Sequence, residues 1–346
     1  YKGYYIEDLR TLELGEWPER ECNAAFLELD GSQGRAEIRV TEIPPGKTLP
    51  PLTFALDEVV YVVEGRGLTT IWGGANGRKK TFEWQKNSMF LIPRGHTHQF
   101  SNAQGDKPAR LMHYNCLPLV MATLADPDFF FESHGELDRV DVNGSDFYSP
   151  AYAVQIPDSS LAFGARDLWF GNFFPDMRAW DKLAAHTMRG VGARVVYVQF
   201  PGSEMAAHMS VFPAGTYKKA HRHGPAFVII IPAGEGFSIM WEEGKEKVVI
   251  PWHEASLFVP PNRWFHQHFN LGTESARYLA FHPPVQFEGW AETIQDRLKD
   301  QIEFPDEDPF VRQTFEEELG KRDLKTLMPE QAYIDRDYQS DSVGGS

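Results

Sequence analysis

One set of short, β-branched segments occurs twice in this chain, about 170 residues apart (Gly46 against Gly215). Asp57-Glu-Val-Val-Tyr-Val-Val-Glu-Gly-Arg-Gly67 is answered by Ala226-Phe-Val-Ile-Ile-Ile-Pro-Ala-Gly-Glu-Gly236, and Leu68-Thr-Thr-Ile-Trp72 by Phe237-Ser-Ile-Met-Trp241. Asn87–Pro93 pairs in kind with Ala255–Pro260, Ala109–Tyr114 with Ala276–His282, and Thr41–Gly46 with Met209–Gly215. Self-similarity on this scale means a duplicated, domain-sized unit. Within each copy, short β-branched and aromatic runs follow one another at spacings of about 8–12 residues with Gly/Pro turns between them, which is the pattern of an antiparallel sandwich or barrel. A chain of 346 residues suits two such units.

The fold class expected is therefore all-β: two barrels in one chain, with short peripheral helices and a C-terminal helical tail. The expected division is an irregular lead-in over 1–35, barrel 1 over 36–120, a connection over 121–192, barrel 2 over 193–283 and the tail over 284–346. In the connection, Asp126–Glu132 reads as a one-turn helix or loop, and Met177, Trp180, Leu183 and Ala184 have helical spacing. In the tail, Gln286–Ile302 and Phe310–Lys325 read as amphipathic helices whose apolar points would clasp a neighbouring subunit. Asp306, Glu307 and Asp308 read as a solvated acidic turn.

Composition sets outer bounds. The net charge of −15 argues against nucleic acid or an anionic membrane as partner, and no run of about 18 apolar residues suggests a membrane span. The start of the chain has no signal-peptide pattern. Two cysteines, Cys22 and Cys116, make no C-x-x-C pair, so a reducing, cytoplasmic setting is expected. No nucleotide-binding glycine loop or G-x-S-x-G elbow is present.

The chemistry concentrates in the second copy. His221 and His223 stand two apart, so in a strand their rings share a face. His266, some forty residues on, can bring a third neutral imidazole, a set that suits a divalent transition metal. The plain alternative is two surface strand histidines and an unrelated turn histidine. His268 can share the face of His266 as a proton shuttle, a supporting partner or an alternative ligand; the alternative is a rim histidine stacked with Trp264 and Phe265. Arg277 and His282, on the last strand of the copy, can pin a substrate carboxylate or lie on a solvated strand face. His208 and Ser210 are candidates to line the barrel.

With those residues in place, the chain resembles the cupin superfamily, and within it the two-barrel bicupins. The first cupin motif, G-x5-H-x-H-x3,4-E-x6-G, is met by Gly215, His221, His223 and Gly234, with Phe227 in the Glu place. The second, P-x-G-x-x-H-x3-N, is met by Pro261, His266 and Asn270, with Arg263 in the Gly place. In the first copy Gly46, Glu58, Gly65, Pro93, Gly95, His98 and Asn102 are in register, but Leu52 and Phe54 replace both histidines of the first motif. The resemblance covers roughly 34–115 and 193–283. It implies a working metal site in barrel 2 and a filled or ligandless barrel 1.

The missing carboxylate at Phe227 implies the three-histidine Fe(II) dioxygenases of the superfamily, such as the gentisate- and salicylate-type ring-cleaving bicupins, rather than oxalate-type decarboxylases, which use that Glu as a ligand. The ring-cleaving bicupins usually carry their metal in the first barrel, and here it falls in the second. The expectation is a dioxygenase that takes a small anionic or phenolic substrate and O₂ at His221, His223 and His266, with Fe(II) first and Ni, Zn, Cu or Mn as alternatives. His268 and Arg277 are its catalytic candidates, and Phe227, His208, Trp264 and His282 its pocket. A non-redox metal hydrolase, lyase or isomerase, and a non-catalytic small-molecule-binding bicupin, stand as alternatives. A homo-oligomer is expected.

Overall fold

In a computed structural model, the chain is described at residues 1–73, 77–132, 141–142, 144, 146–156, 166–179, 184–185, 189–283 and 299–338. The run Glu58–Glu64 shows why these sequences make sheets buried on both faces. Val59, Tyr61 and Val63 enter one apolar cluster, while Val60 and Val62 enter another. A strand covered on both sides needs an unbroken apolar run, and this is one. Val228–Ala233 repeats the device: Val228 and Ile230 go one way, Ile229 and Ile231 the other. Each fully buried Val or Ile contributes about 1.5–3 kcal/mol of burial free energy.

The first copy has a small sheet ordered Lys80–Gln85, Arg66–Trp72, Thr97–Asn102, Leu52–Thr53. A larger sheet is ordered Phe173–Phe174, Met89–Ile92, Glu58–Glu64, Ala109–Asn115, Glu37–Ile43, Cys22–Phe26, Gly15–Trp17. Ile71, Trp84 and Phe100 of the small sheet pack with Val60, Phe90 and Leu111 of the large one. In the second copy the small sheet runs Val248–Trp252, Gly236–Trp241, Phe265–Asn270, Ala220–His221, Gln301–Ile302. The matching stretch of its large sheet runs Leu257–Phe258, Val228–Ala233, Ala276–His282, Ala206–Phe212, Arg194–Gln199. The strand order is the same in both, so the sequence duplication is a duplication of structure.

The outer faces of the two large sheets meet. Val40, Tyr61, Met112 and Tyr114 of the first share one cluster with Met209, Val228, Leu279 and Phe281 of the second. The lead-in and the connection are woven into this pair. Tyr5–Ile6 pairs with Leu257–Phe258 at the edge of the second large sheet, and Phe173–Phe174 pairs with Met89–Phe90 at the edge of the first. Each edge strand is thereby covered by a segment that precedes the other barrel, which removes an exposed pairing edge.

The motif residues without chemistry have geometric reasons. Gly65 and Gly234 take φ of 96° and 100°, and a Cβ there would meet the Cβ of Ala109 and Ala276 at 2.8 and 2.7 Å. Asn102 Nδ2 donates to the carbonyls of Ile43 and Lys107, and Asn270 Nδ2 donates to those of Phe212 and Glu274. The pair ties equivalent strand ends to equivalent turns.

Three expectations change at the periphery. Helix Pro309–Gly320 forms, but Val311, Phe315 and Leu319 pack on Tyr217, Phe237 and Phe269 of its own second barrel rather than on a neighbouring subunit. The outer face of that small sheet is apolar and needs a cover. In barrel 1 the places of Tyr217 and Phe269 are taken by Thr48 and Ser101, whose exposed hydroxyls bond each other at 2.8 Å and need no cover. The acidic turn before the helix is only partly solvated: Glu307 accepts from Tyr217 Oη at 2.7 Å and Gln267 Nε2 at 2.5 Å, and burial raises its pKa to about 8. Asp308 caps the helix by accepting from Phe310 N.

Of the helix expected to reach Ile302, Lys299 and Asp300 are helical, and its last two residues form the strand Gln301–Ile302 instead. Its points Trp290, Ile294 and Leu298 lie outside the described residues, as do Trp180 and Leu183 of the connection, where Ala184–Ala185 forms a strand instead. Pro127–Phe131 is a short helix, as the sequence suggested. Among the described residues no helix is long and apolar enough to cross a membrane.

Candidate metal centre

Pairing between Ala220–His221 and Phe265–Asn270 sets His221 directly opposite His266. His223 follows two residues on, past the end of the strand. One ligand nitrogen from each of the three rings lies within 4.8 Å of the others. The tautomers are set by the backbone: Nδ1 of His221 meets the Lys219 carbonyl at 3.3 Å, Nδ1 of His223 the Gly224 carbonyl at 2.8 Å, and Nδ1 of His266 the Trp264 carbonyl at 3.1 Å. A carbonyl only accepts, so each Nδ1 carries the proton and each Nε2 keeps its lone pair. His266 Nε2 is buried and has no hydrogen-bond partner. Burial first pushes the pKa of His221 and His266 well below the ordinary imidazole value, followed by the Arg189 charge and then His266 for His221, and by His223 for His266; burial pushes that of His223 down to about 3. Three neutral imidazoles with convergent lone pairs, one of them otherwise unsatisfied, fit a divalent transition metal.

The departure at Arg263 has a local explanation. Its φ of 63° matches the 73° of Gly95 in the other copy. A side chain in this left-handed conformation is strained by roughly 1 kcal/mol. The Arg263 guanidinium is held by both carboxylate oxygens of Asp300, which also accepts from Arg222 Nε.

The cavity beside the triad has a volume of about 40 Å³. His268 lines it. Trp252 Nε1, which can only donate, gives its proton to Ser238 Oγ at 3.1 Å, and Ser238 Oγ lies 2.8 Å from His268 Nδ1. The serine satisfies its own proton by donating to Nδ1, which leaves His268 Nε2–H buried and without a partner. Phe227 takes the place of the motif Glu and lays its ring 4.0 Å from that of His223, centroid to centroid. His208 lines the cavity and pairs with His282 at 2.6 Å, and His282 packs on Phe227 at 4.9 Å.

Three sequence candidates are absent from the cavity lining: His282, which packs on Phe227, and two that are placed elsewhere. Trp264 packs on Tyr4, outside the cavity lining. Arg277 alternates with Tyr278 and Ala280, which line the cavity, so its side chain leaves from the other face of the strand.

Several lining residues escaped the sequence, among them Arg189, Tyr197, Tyr278 and Lys218. Lys218 is buried, with Nζ on the hydroxyls of Ser210 and of Tyr278, the latter at 2.8 Å. Strict alternation from His221 would turn Lys218 outward. Instead Lys219 and Ala220 both face the tail, Lys219 on Glu303 and Ala220 in the outer apolar cluster, and the extra outward residue turns Lys218 in.

Barrel 1 carries a different polar set. Glu58 accepts from Arg39 at 2.8 Å, from His113 Nδ1 at 2.7 Å and from Asn115 Nδ2 at 3.1 Å, and His113 Nε2 accepts from Thr41 at 2.8 Å. Burial alone would raise the Glu58 pKa; the charge of Arg39 and the bond from His113 more than reverse it, holding the carboxylate well below its usual range. His98 is buried with neither ring nitrogen hydrogen-bonded, and burial lowers its pKa from 6.5 to about 4. Among the described residues, His221, His223 and His266 are the one close group of three potential ligands.

His98 has a pH consequence. Below pH 6.5 the unfolded chain takes up a proton that folded His98 refuses until about pH 4, so stability falls as pH falls through that window. The contribution is about 3 kcal/mol across it. His98→Leu is expected to flatten this part of the pH profile, and melting temperatures at pH 7.5 and 4.5 check it; an unchanged slope would refute the assignment.

Comparison with known proteins agrees with the architecture. No protein-family model matches the chain, and no curated protein matches it in sequence. Among solved structures, an oxalate decarboxylase from Lactobacillus farciminis in complex with formate superposes with a TM-score of 0.52 at 13% identity, covering 82% of this chain and 86% of that one. A single-residue variant of the Bacillus subtilis oxalate decarboxylase gives 0.51 at 12% identity, covering 82% and 78%. The fold is a bicupin. The sequence pointed toward three-histidine dioxygenases, and these similar structures are decarboxylases; at such identity the likeness establishes the two barrels alone. The two barrels differ in their polar residues: Phe227 faces the triad of barrel 2, while Glu58 serves the ion cluster of barrel 1.

Proposed function

We propose that barrel 2 is a metal-dependent active site that cleaves a carbon–carbon bond in a small anionic substrate with O₂. The observation that carries this reading is the donor set: three neutral imidazoles converge on a cavity whose lining contains no carboxylate. His221, His223 and His266 would hold the ion, Fe(II) first among the candidates. When bound, such an ion supplies Lewis acidity and access to oxygen chemistry. Around it the chain's own groups have defined tasks. His268, fixed through Ser238 by Trp252, offers Nε2–H to an oxygen of the substrate. Phe227 and Ile229 keep one wall apolar and exclude water. The cavity admits only a small ligand.

A non-redox lyase is the second reading, favoured by the shared fold of the oxalate decarboxylases. Oxygen uptake separates the two. Protein reconstituted anaerobically with Fe(II) is expected to consume O₂ stoichiometrically with loss of one member of a panel of small carboxylates and phenols. CO₂ release without O₂ uptake would move the assignment to a lyase. Phe227→Glu, which restores the carboxylate of the motif, is expected to tighten metal binding and to suppress oxygen uptake at least about tenfold by occupying an open position. Uptake unchanged in this variant would remove Phe227 from the explanation.

A further inference from the structure

A lysine ammonium is rarely buried without a carboxylate beside it. Lys218 is 2% exposed, yet Nζ meets only neutral groups, the hydroxyls of Ser210 and Tyr278, with the aromatic face of Tyr278 at 4.5 Å. The cavity it lines has cationic or neutral walls throughout. Close to it, the ring of His268 lies 4.9 Å from that of Tyr278 and presents an unpartnered donor. Burial and the nearby Arg189 guanidinium press the amine toward its neutral form, a cost that an anion in the cavity relieves.

The duplicated barrel supplies an internal comparison. Matching the motif glycines Gly46 and Gly215, and the strand pairs Thr41–Leu111 and Ser210–Tyr278, puts Leu49 where barrel 2 has Lys218 and Leu111 where it has Tyr278. Phe100 stands in the place of His268, two residues past the motif histidine. Leu49, Phe100 and Leu111 are all buried in the apolar core of barrel 1. The copy without the triad therefore also lacks the lysine, the tyrosine and the second histidine. The three extra polar groups go with the triad, while the shared scaffold stands without them.

We infer that Lys218, Tyr278 and His268 form an anion anchor facing the triad, so that the ligand of barrel 2 is a short dianion, one charged end at His221, His223 and His266 and the other on Lys218. This deepens the proposed function and rests on it for the first end only. Lys218 and Tyr278 act by binding and orienting the ligand. The small cavity requires the two charged ends to be close together, as in a short dicarboxylate.

The test is calorimetric titration of the full chain, loaded with Zn(II), with malonate and with acetate. Wild type is expected to bind malonate at least about tenfold more tightly than acetate, the usual worth of a charge-assisted bond. Lys218→Met should abolish that advantage, leaving acetate affinity and zinc content unchanged. Tyr278→Phe, which keeps the lysine and removes one hydroxyl, should weaken malonate about threefold and decides the matter should Lys218→Met fail to fold. With one zinc per chain, equal affinity of wild type for the two anions, or a malonate advantage that survives in Lys218→Met, overturns the anchor and leaves the metal reading standing. Protein that takes up no zinc but still binds malonate through Lys218 overturns the metal reading and supports the anchor.

Discussion

Replacing His266 with alanine is expected to strip barrel 2 of its metal, lowering affinity by more than about a hundredfold. Loss of a group that merely supports a ligand costs 10–100-fold, and His266 is placed as a ligand itself. Its Nε2 is the buried, unpartnered atom of the triad, and its ring stands 4.4 Å from that of His221 and 4.7 Å from that of His223. The duplication provides the control. His98 occupies the same motif position in barrel 1, where Leu52 and Phe54 leave it without companions, and His98→Ala should leave metal content unchanged. Elemental analysis of purified protein gives the stoichiometry. Chelation should lower the melting temperature of wild type, since a ligand that binds only the folded state stabilises it, and should not move that of His266→Ala. Stoichiometric metal in His266→Ala would falsify the triad.

The second large effect is on stability and lies in the other barrel. Glu58→Leu is expected to cost about 3–5 kcal/mol, the usual consequence of removing one member of a buried ion pair. Arg39 loses one of its two carboxylates, and the donors of His113 and Asn115 lose their acceptor. The effect depends on pH with a definite sign. The folded pKa of Glu58 lies below its ordinary 4.5, so its contribution is complete above that value and is lost as the pH falls toward the folded pKa. Urea midpoints of wild type and variant should differ widely at pH 7 and approach one another at pH 3. A constant difference would mean that Glu58 acts through packing and not through charge.

The sequence carried the architecture because the duplication and the two motifs are local patterns. Glycines at positive φ, paired asparagines and apolar runs buried on both faces all leave marks that spacing can read. The triad was legible for the same reason, as His221 and His223 share a face and His266 sits in a motif of its own. Arg277 was misplaced because one strand residue says nothing about which face is inner until its neighbours Tyr278 and Ala280 are seen to line the cavity. Trp264 was misplaced because its partner, Tyr4, lies some 260 residues away in sequence. Lys218 stayed hidden behind an irregularity, two consecutive outward residues, that no alternation rule anticipates. The roles of Glu307 and of the tail helix depend on a tertiary surface that has no counterpart in barrel 1.

The reciprocal edge strands bear on how the chain is made. Tyr5–Ile6 is synthesised some 250 residues before its partner Leu257–Phe258. At ordinary elongation rates that is a delay on the order of tens of seconds. Throughout that interval Tyr5–Ile6 must stay without its sheet partner, while its neighbours Lys2–Gly3 can already pair with Glu28–Leu29. Barrel 1 in turn must wait for Phe173–Phe174 to cover its edge. The barrel that bears the triad is therefore closed by a segment synthesised before any of its own strands.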